Sequence, residues 1–182
     1  FFIKLLFASL ILTSAMGASQ GIRFNSSESS IVERTSYNVF AQDYQKFTGN
    51  FSIHFNLSII DSKIFGYILN IKDQNNPISY SLAYIDSTSE LGELKFNLDG
   101  VKELLSVPIN KQLIGSRKWI KVVLNFTNKK INLSVNGLIF SSNENEFNTI
   151  IVPEIYFGKH GSVIDVPLMS IKNLNLKNKN KK

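Results

Sequence analysis

The chain has 182 residues, of which 43% are hydrophobic and 19% are charged, a composition that suits one globular domain and excludes a disordered chain. It contains no cysteine, which excludes disulfides, thiolate metal sites and a catalytic thiol. Five charges of the formal net +6 come from Lys4 and four lysines among the last six residues, which leaves 15 basic and 14 acidic residues elsewhere, so we expect no nucleic-acid partner.

Residues 1–19 have the layout of a secretory signal peptide. Lys4 precedes a short apolar run, and Thr13–Ser19 is rich in small residues. Because the apolar run is far shorter than the roughly 20 residues that span a bilayer, we expect membrane contact only before cleavage, which is predicted between Gly17 and Gln20. An export signal without cysteine favours a bacterial envelope, and the predicted location is secreted, periplasmic or at the cell surface.

The rest of the chain alternates apolar and polar residues, which is typical of β-strands with one buried face. The apolar positions of the predicted strands are Phe51, Ile53, Phe55 and Leu57; Phe65, Tyr67, Leu69 and Ile71; Tyr80, Leu82 and Tyr84; Leu94, Phe96 and Leu98; Ile120, Val122, Leu124 and Phe126; Ile131, Leu133 and Val135; and those of Ile155–Phe157 and Ile171–Leu176. About ten short strands predict an all-β, two-layer antiparallel β-sandwich or jelly roll.

Turn-forming residues separate the predicted strands. Asn136-Gly137 lies between two apolar runs and is the strongest hairpin signal. Asn128-Lys129 is expected to act similarly, because asparagine tolerates a positive φ. Asp73–Pro77, Asp86–Ser89 and Asp99-Gly100 predict further loops.

The stretch Trp119–Phe140, WIKVVLNFTNKKINLSVNGLIF, resembles the central double hairpin of concanavalin A-like domains, in particular laminin-G-like domains. There a tryptophan opens one strand, a second strand follows a short turn, and an Asn-Gly turn leads to a third. Phe51–Ile59 resembles the early strand, Ile155–Gly158 the strand that ends in glycine, and Asp165–Leu176 the closing strand, which pairs back near the N-terminus. The resemblance covers nearly all of residues 36–176 and implies a concanavalin A-like jelly roll.

A more specific resemblance is to the N-terminal laminin-G-like domain of bacterial surface proteins with a Kelch-type propeller further along. It rests on FGYIL near the start and DVPLMSIKNL near the end, and it implies that the chain is the leading domain of a longer protein. The predicted organisation is a signal peptide at 1–19, a laminin-G-like domain at 20–176 and a basic tail or linker start at 177–182.

Catalysis in this superfamily, as the resemblance implies, is glycoside hydrolysis by two carboxylates. Laminarinase-like members place them on one strand as Glu-x-Asp-x-x-Glu, a pattern that this sequence lacks. Glu144 and Glu146 are two residues apart but lie in a polar segment, which predicts a solvated loop. We therefore assign no catalytic residue and predict that the chain is not an enzyme, with a glycoside hydrolase of unrecognised carboxylates as the alternative.

No metal site and no other cofactor is assigned. His54 and His160 are the only histidines, and without a carboxylate or cysteine pattern beside them both are predicted to be structural or surface residues. Laminin-G-like domains often bind calcium at the rim of the sandwich, so the resemblance leaves calcium open. Asp73, Asp99 and Asp165 are expected to be turn residues, because none belongs to a dense cluster of oxygen ligands.

Aromatic side chains are the candidates for stacking on sugars, but no ligand-binding residue is assigned. Trp119 is the single tryptophan, and its place at the start of a core strand predicts partial burial against the sheet edge. Tyr67, Tyr80 and Tyr84 are weaker candidates, since strand tyrosines usually lie in the core with the hydroxyl at the rim.

The export signal, the resemblance and the missing carboxylate pair favour a non-catalytic binding module within a larger surface protein. A glycan is the preferred ligand and a protein the second, and a structural spacer is a further alternative. Fold alone does not separate these functions, because the same sandwich serves lectins, hydrolases and adhesion modules. Glycan binding is expected to be weak, because an uncharged sugar offers no electrostatic anchor.

The signal-peptide interpretation predicts that the exported protein lacks roughly its first 17–20 residues. N-terminal sequencing of protein recovered from the medium or periplasm measures this. Mature protein that still begins at Phe1 would show the interpretation to be wrong.

Overall fold

The computed structural model describes residues 21–25, 30, 34–41, 50–61, 65–115, 118–127, 130–143, 152–162 and 165–178. The described strands are β1 Ile22–Phe24, β2 Tyr37–Asn38, β3 Phe51–Ile59, β4 Gly66–Asp73, β5 Asn76–Asp86, β6 Leu91–Leu98, β7 Lys102–Asn110, β8 Ile120–Phe126, β9 Ile131–Val135, β10 Leu138–Ser141, β11 Pro153–Phe157 and β12 Met169–Asn178, with a short 3₁₀ helix at Lys111–Leu113. The leader, the Asn128-Lys129 turn, Glu144 and Glu146 lie outside the described residues. Within the described ranges, no helix has the length and apolar character needed to cross a bilayer.

The strands form two six-stranded antiparallel sheets that pack face to face. Sheet A has the order β1-β12-β3-β8-β9-β10, and sheet B has the order β2-β11-β4-β5-β6-β7. β12 lies between β1 and β3, so the last strand pairs beside the first one, as expected for the closing strand. The predicted two-layer antiparallel β-sandwich is confirmed.

The core lies between the sheets and follows the alternation of the sequence. All the predicted inward positions of β8 and β9 are 5% exposed or less: Ile120, Val122, Leu124, Phe126, Ile131, Leu133 and Val135. Phe51 of β3 lies directly opposite Phe126 of β8, and the two rings stack with centroids 4.4 Å apart. This contact joins the two central strands of sheet A within the core.

The predicted orientation of the side chains at the start of β4 is wrong. Strict alternation places Phe65 and Tyr67 on the same face as Leu69 and Ile71, but the register of β4 against β5 shifts between Tyr67 and Leu69. Ile68 and Leu69 are both fully buried, whereas Phe65 is 43% exposed. A β-bulge adds one residue and reverses the facing of the residues before it.

The strand Lys102–Asn110 is missing from the sequence prediction, although Leu105, Val107 and Ile109 alternate and are buried. Pro108 breaks the strand signal because it cannot donate a backbone hydrogen bond. β7 tolerates it as the edge strand of sheet B, where Pro108 lies opposite Glu93 of β6.

The last strand runs two residues past the predicted domain end at 176. Lys177 lies opposite Ser52, and Asn178 lies opposite Phe51. Lys177 therefore belongs to sheet A and not to the predicted tail.

The predicted hairpin turn at Asn136-Gly137 is confirmed, since it joins β9 to β10 with φ values of 49° and 92°. Both residues need a positive φ in a two-residue turn that matches the strand twist. The turn places β10 at the outer edge of sheet A.

Replacing Leu133 by Ala should lower the free energy of unfolding by about 2–5 kcal/mol, because the side chain is fully buried between the sheets. Urea denaturation measures the change. The matched control is Ser134→Ala, on the opposite face of the same strand, for which we expect a change within about 0.5 kcal/mol. A similarly small loss for Leu133→Ala would contradict the assigned register.

Candidate functional site

An open groove of about 380 Å³ crosses the outer face of sheet A. Its lining comes from five adjacent strands: Lys177 of β12, Ser52 and His54 of β3, Val123 and Asn125 of β8, Asn132 and Ser134 of β9, and Ile139 of β10. Four strand intervals of about 4.8 Å give a length of about 19 Å. Its volume lies within the roughly 300–1,000 Å³ typical of small-ligand sites.

Strand pairing determines which side chains share the groove. The apolar residues of each strand face the core, so the residues between them face outward. One row of directly paired positions contains Asn175, His54, Val123, Ser134 and Ile139. The next row contains Lys177, Ser52, Asn125, Asn132 and Ser141. The groove is therefore built from two neighbouring rows of the sheet.

Five of the eight side chains that line the groove carry an amide, a hydroxyl or an imidazole. The Ser52 Oγ and His54 Nε2 atoms are 2.9 Å apart, and the Ser141 Oγ donates to Asn132 Oδ1 at 2.7 Å. Side-chain amides both donate and accept hydrogen bonds, and Ile139, which is 70% exposed, adds an apolar surface. This combination can bind a ligand with many hydroxyl groups and some apolar faces.

A larger depression of about 520 Å³ follows the β4–β5 hairpin. Its lining residues are the consecutive residues 72–79. Because only the hairpin of β4 and β5 contributes to it, side chains from distant parts of the chain do not converge there. The groove of sheet A is the stronger candidate.

Trp119 lies on the outer side of sheet A just before β8, four residues from Val123 of the groove. Its side chain is 36% exposed, and the Lys172 Nζ atom lies 4.0 Å from the ring centroid. The predicted partial burial is correct, but a lysine on the outer face contributes to it. A cation above the ring occupies the surface that a sugar would use for stacking.

The tyrosines considered for stacking do not reach this groove. Tyr80 and Tyr84 are fully buried, as predicted, and burial together with the nearby charges of Asp86 and Asp61 raises the pKa of Tyr84 to about 12. Tyr67 lies outside the core, where its ring stacks on the imidazole of His160 at 4.2 Å.

A second polar cluster lies on sheet B around Asp99. The hydroxyls of Ser79 and Ser81 each donate to its carboxylate at 2.5 Å, Asn70 Nδ2 donates at 3.2 Å, and His160 Nε2 lies 3.0 Å from Oδ2. No carboxylate pattern accompanies His160 in the sequence, but the fold places Asp99 of the β6–β7 turn beside it. With four partners, the Asp99 carboxylate links β4, β5 and the loop after β11.

The other two aspartates considered for calcium also have partners. Asp73 Oδ1 accepts from the Asn75 amide at 3.1 Å in the β4–β5 turn. Asp165 forms an ion pair with Arg34 at 2.9 Å. Among the described residues, no three His, Cys, Asp or Glu side chains converge as metal ligands would. Asp73 is a turn residue, as predicted, and Asp165 is an ion-pair residue.

Acidic side chains come together on the opposite sheet. Lys95 Nζ lies 3.5 Å from Glu93 Oε2 and 2.8 Å from Glu103 Oε2. Hydrogen bonds from Ser87 and Ser106 lower the pKa of Glu93. A glycosidase needs one carboxyl with a raised pKa to protonate the leaving group, so Glu93 is unsuited to that role.

No protein-family profile matches the sequence, and no curated protein is significantly similar. Solved structures do match. The CBM40 of a Ruminococcus gnavus sialidase, solved with α2,3-sialyllactose, aligns at a TM-score of 0.58 and 12% identity over 90% of this chain and 92% of that one. The LG1-3 region of the laminin α2 chain aligns at 0.56 and 12% identity over 87% and 31%.

The same fold also occurs in an enzyme. An alginate lyase of polysaccharide lyase family 7 aligns at a TM-score of 0.52 and 14% identity, covering 80% of this chain and 69% of that one. At such low identity these similarities establish the fold alone. They confirm the architecture that the resemblance implied: the chain is a concanavalin A-like jelly roll, with laminin-G domains and carbohydrate-binding modules among its structural neighbours.

Proposed function

We propose that this protein is a non-catalytic, extracytoplasmic binding module whose ligand is a carbohydrate. The groove on the outer face of sheet A carries the proposal, because amides and hydroxyls from several strands meet there beside an exposed apolar side chain. Sugar hydroxyls both donate and accept hydrogen bonds, as the amides of Asn125 and Asn132 do. Val123 and Ile139 offer contacts for the apolar face of a sugar ring.

The groove supports binding better than hydrolysis. Among the described residues, no carboxylate lines it, and hydrolysis of a glycosidic bond needs two. Glu93 and Glu103 are held by Lys95 on the other sheet. The fold is shared with carbohydrate-binding modules, which is consistent with recognition without turnover. The leader at 1–19 supports export to the bacterial envelope.

Ser134→Trp should abolish glycan binding, because position 134 lies in the middle of the groove between Val123 and Ile139. We expect at least a tenfold loss of affinity in isothermal titration with a glycan first identified on an array. The matched control is Ser106→Trp, at an exposed outward position of sheet B, which should bind like the unmodified protein. Both variants should keep the parent melting temperature within a few degrees. Unchanged affinity in a folded Ser134→Trp protein would exclude this groove.

Because no carboxylate is found among the described residues that line the groove, we predict that the purified domain does not hydrolyse polysaccharides. Release of reducing ends detects hydrolysis, and ultraviolet absorbance of unsaturated products detects lyase activity. Turnover that disappears in a groove variant such as His54→Ala would contradict the non-catalytic assignment. No turnover together with no binding on a glycan array would favour a protein ligand or a spacer.

A further inference from the structure

The two sheets differ sharply in charge. The strands of sheet A contain four basic residues, Arg23, Lys121, Lys172 and Lys177, and no acidic residue. The strands of sheet B contain five acidic and three basic residues. The near balance of 15 basic and 14 acidic residues outside Lys4 and the last six positions therefore hides a basic face on sheet A.

All four basic side chains lie on the outer face of sheet A. Lys172 pairs with Asn56, which pairs in turn with Lys121, so these two lysines flank one outward position of β3. Arg23, on the edge strand β1, pairs with Ser170 of β12. Lys177 lines the groove itself. Lys177 therefore lies in the groove, and Lys121 and Lys172 lie in the neighbouring row of the same face.

These cations have no neutralising carboxylate among the described residues. The ion pairs formed elsewhere use Arg34, Lys95, Lys111 and His160. The described carboxylates in the loops flanking β3 and β12 act elsewhere, since Asp165 binds Arg34 and Asp61 lies close enough to raise the pKa of Tyr84. Positive charges on one face repel one another to an extent set by the salt concentration, and a bound anion relieves this repulsion.

We propose that the groove binds a glycan that carries carboxylate or sulfate groups. This inference rests on the proposed carbohydrate-binding function and specifies its ligand class. Lys177 anchors an acidic group at the β12 end of the groove, and the amides of Asn125 and Asn132, which lie in the same row of the sheet, bind neutral hydroxyls beside it. Lys121 and Lys172, in the row beyond His54, attract a second acidic group. The charge supplies the electrostatic anchor that an uncharged sugar lacks.

The groove favours an anionic glycan over a single-stranded nucleic acid. Base stacking on exposed aromatic rings carries much of single-strand binding, and the groove lining contains no Phe, Tyr or Trp among the described residues. The nearby Trp119 ring has a lysine above it. Amides and hydroxyls, which dominate the lining, suit sugar hydroxyls.

The test compares glycans with a shared backbone and different charge: dextran, carboxymethyl-dextran and dextran sulfate, together with an array of neutral, uronate-containing and sulfated oligosaccharides. We expect at least tenfold tighter binding of the charged members. Comparing the carboxymethyl and sulfate forms identifies the preferred acidic group. Binding should weaken as salt rises from about 0.05 M to about 0.5 M, because screening shortens the range of the attraction.

Charge-matched variants test which lysines are responsible for the affinity for charged glycans. The double variant Lys121→Gln/Lys177→Gln should lose about tenfold in affinity for the charged glycan. Lys72→Gln/Lys102→Gln removes the same charge from sheet B and should lose less than about twofold. Circular dichroism and thermal melting confirm that both proteins are folded.

The possible results separate the two proposals. Equal affinity for neutral and charged glycans, still abolished by Ser134→Trp, would leave the carbohydrate function standing and overturn the anionic ligand. Equal losses of affinity for the charged glycan in the two double variants would also overturn the proposal of an anionic ligand. Tighter binding of oligo-dT than of any glycan would assign the basic face to nucleic acid. No binding of any glycan would overturn both proposals.

Discussion

The burial of apolar side chains between the two sheets is the constraint on which the rest of the structure depends. Each strand contributes every second residue to this layer, and a fully buried Leu, Ile, Val or Phe stabilises the fold by roughly 1.5–3 kcal/mol relative to an exposed one. Once the apolar residues of β3, β8 and β9 face inward, the residues between them must face solvent. The groove is thus a consequence of the core, since its lining occupies the alternate positions of the same strands.

Local patterns in the sequence were sufficient to predict the core but not the site. Leu133 is buried as its alternation predicts, because facing within a strand is a local property. Asn132 reaches Asn125, Ser52 and Lys177 only through three strand pairings, and β12 comes from the far end of the chain. The alternation of the sequence predicts which residues of each strand face outward. It does not predict the strand order that places these residues side by side.

The positions of Tyr67 and His160 also differ from the sequence prediction, because local alternation determines neither of them. Tyr67 faces outward because of a β-bulge, an insertion that leaves no mark in the alternation itself. His160 reaches Asp99 because the loop after β11 crosses the β6–β7 turn, a contact between segments far apart in sequence. The near-neutral charge balance outside the two termini carries no information on this surface, because it averages a basic sheet with an acidic one.

The single tryptophan gives this surface its own optical signal. Trp119 lies on the groove side of sheet A with the Lys172 ammonium above its ring, and the chain contains no second indole. Indole emission responds to nearby charge and to solvent, so its fluorescence in this protein reports on one position of the outer face of sheet A, at Lys172. A ligand that draws Lys172 away from the ring would change both the intensity and the wavelength of that emission, which makes the native chain a label-free sensor of occupancy.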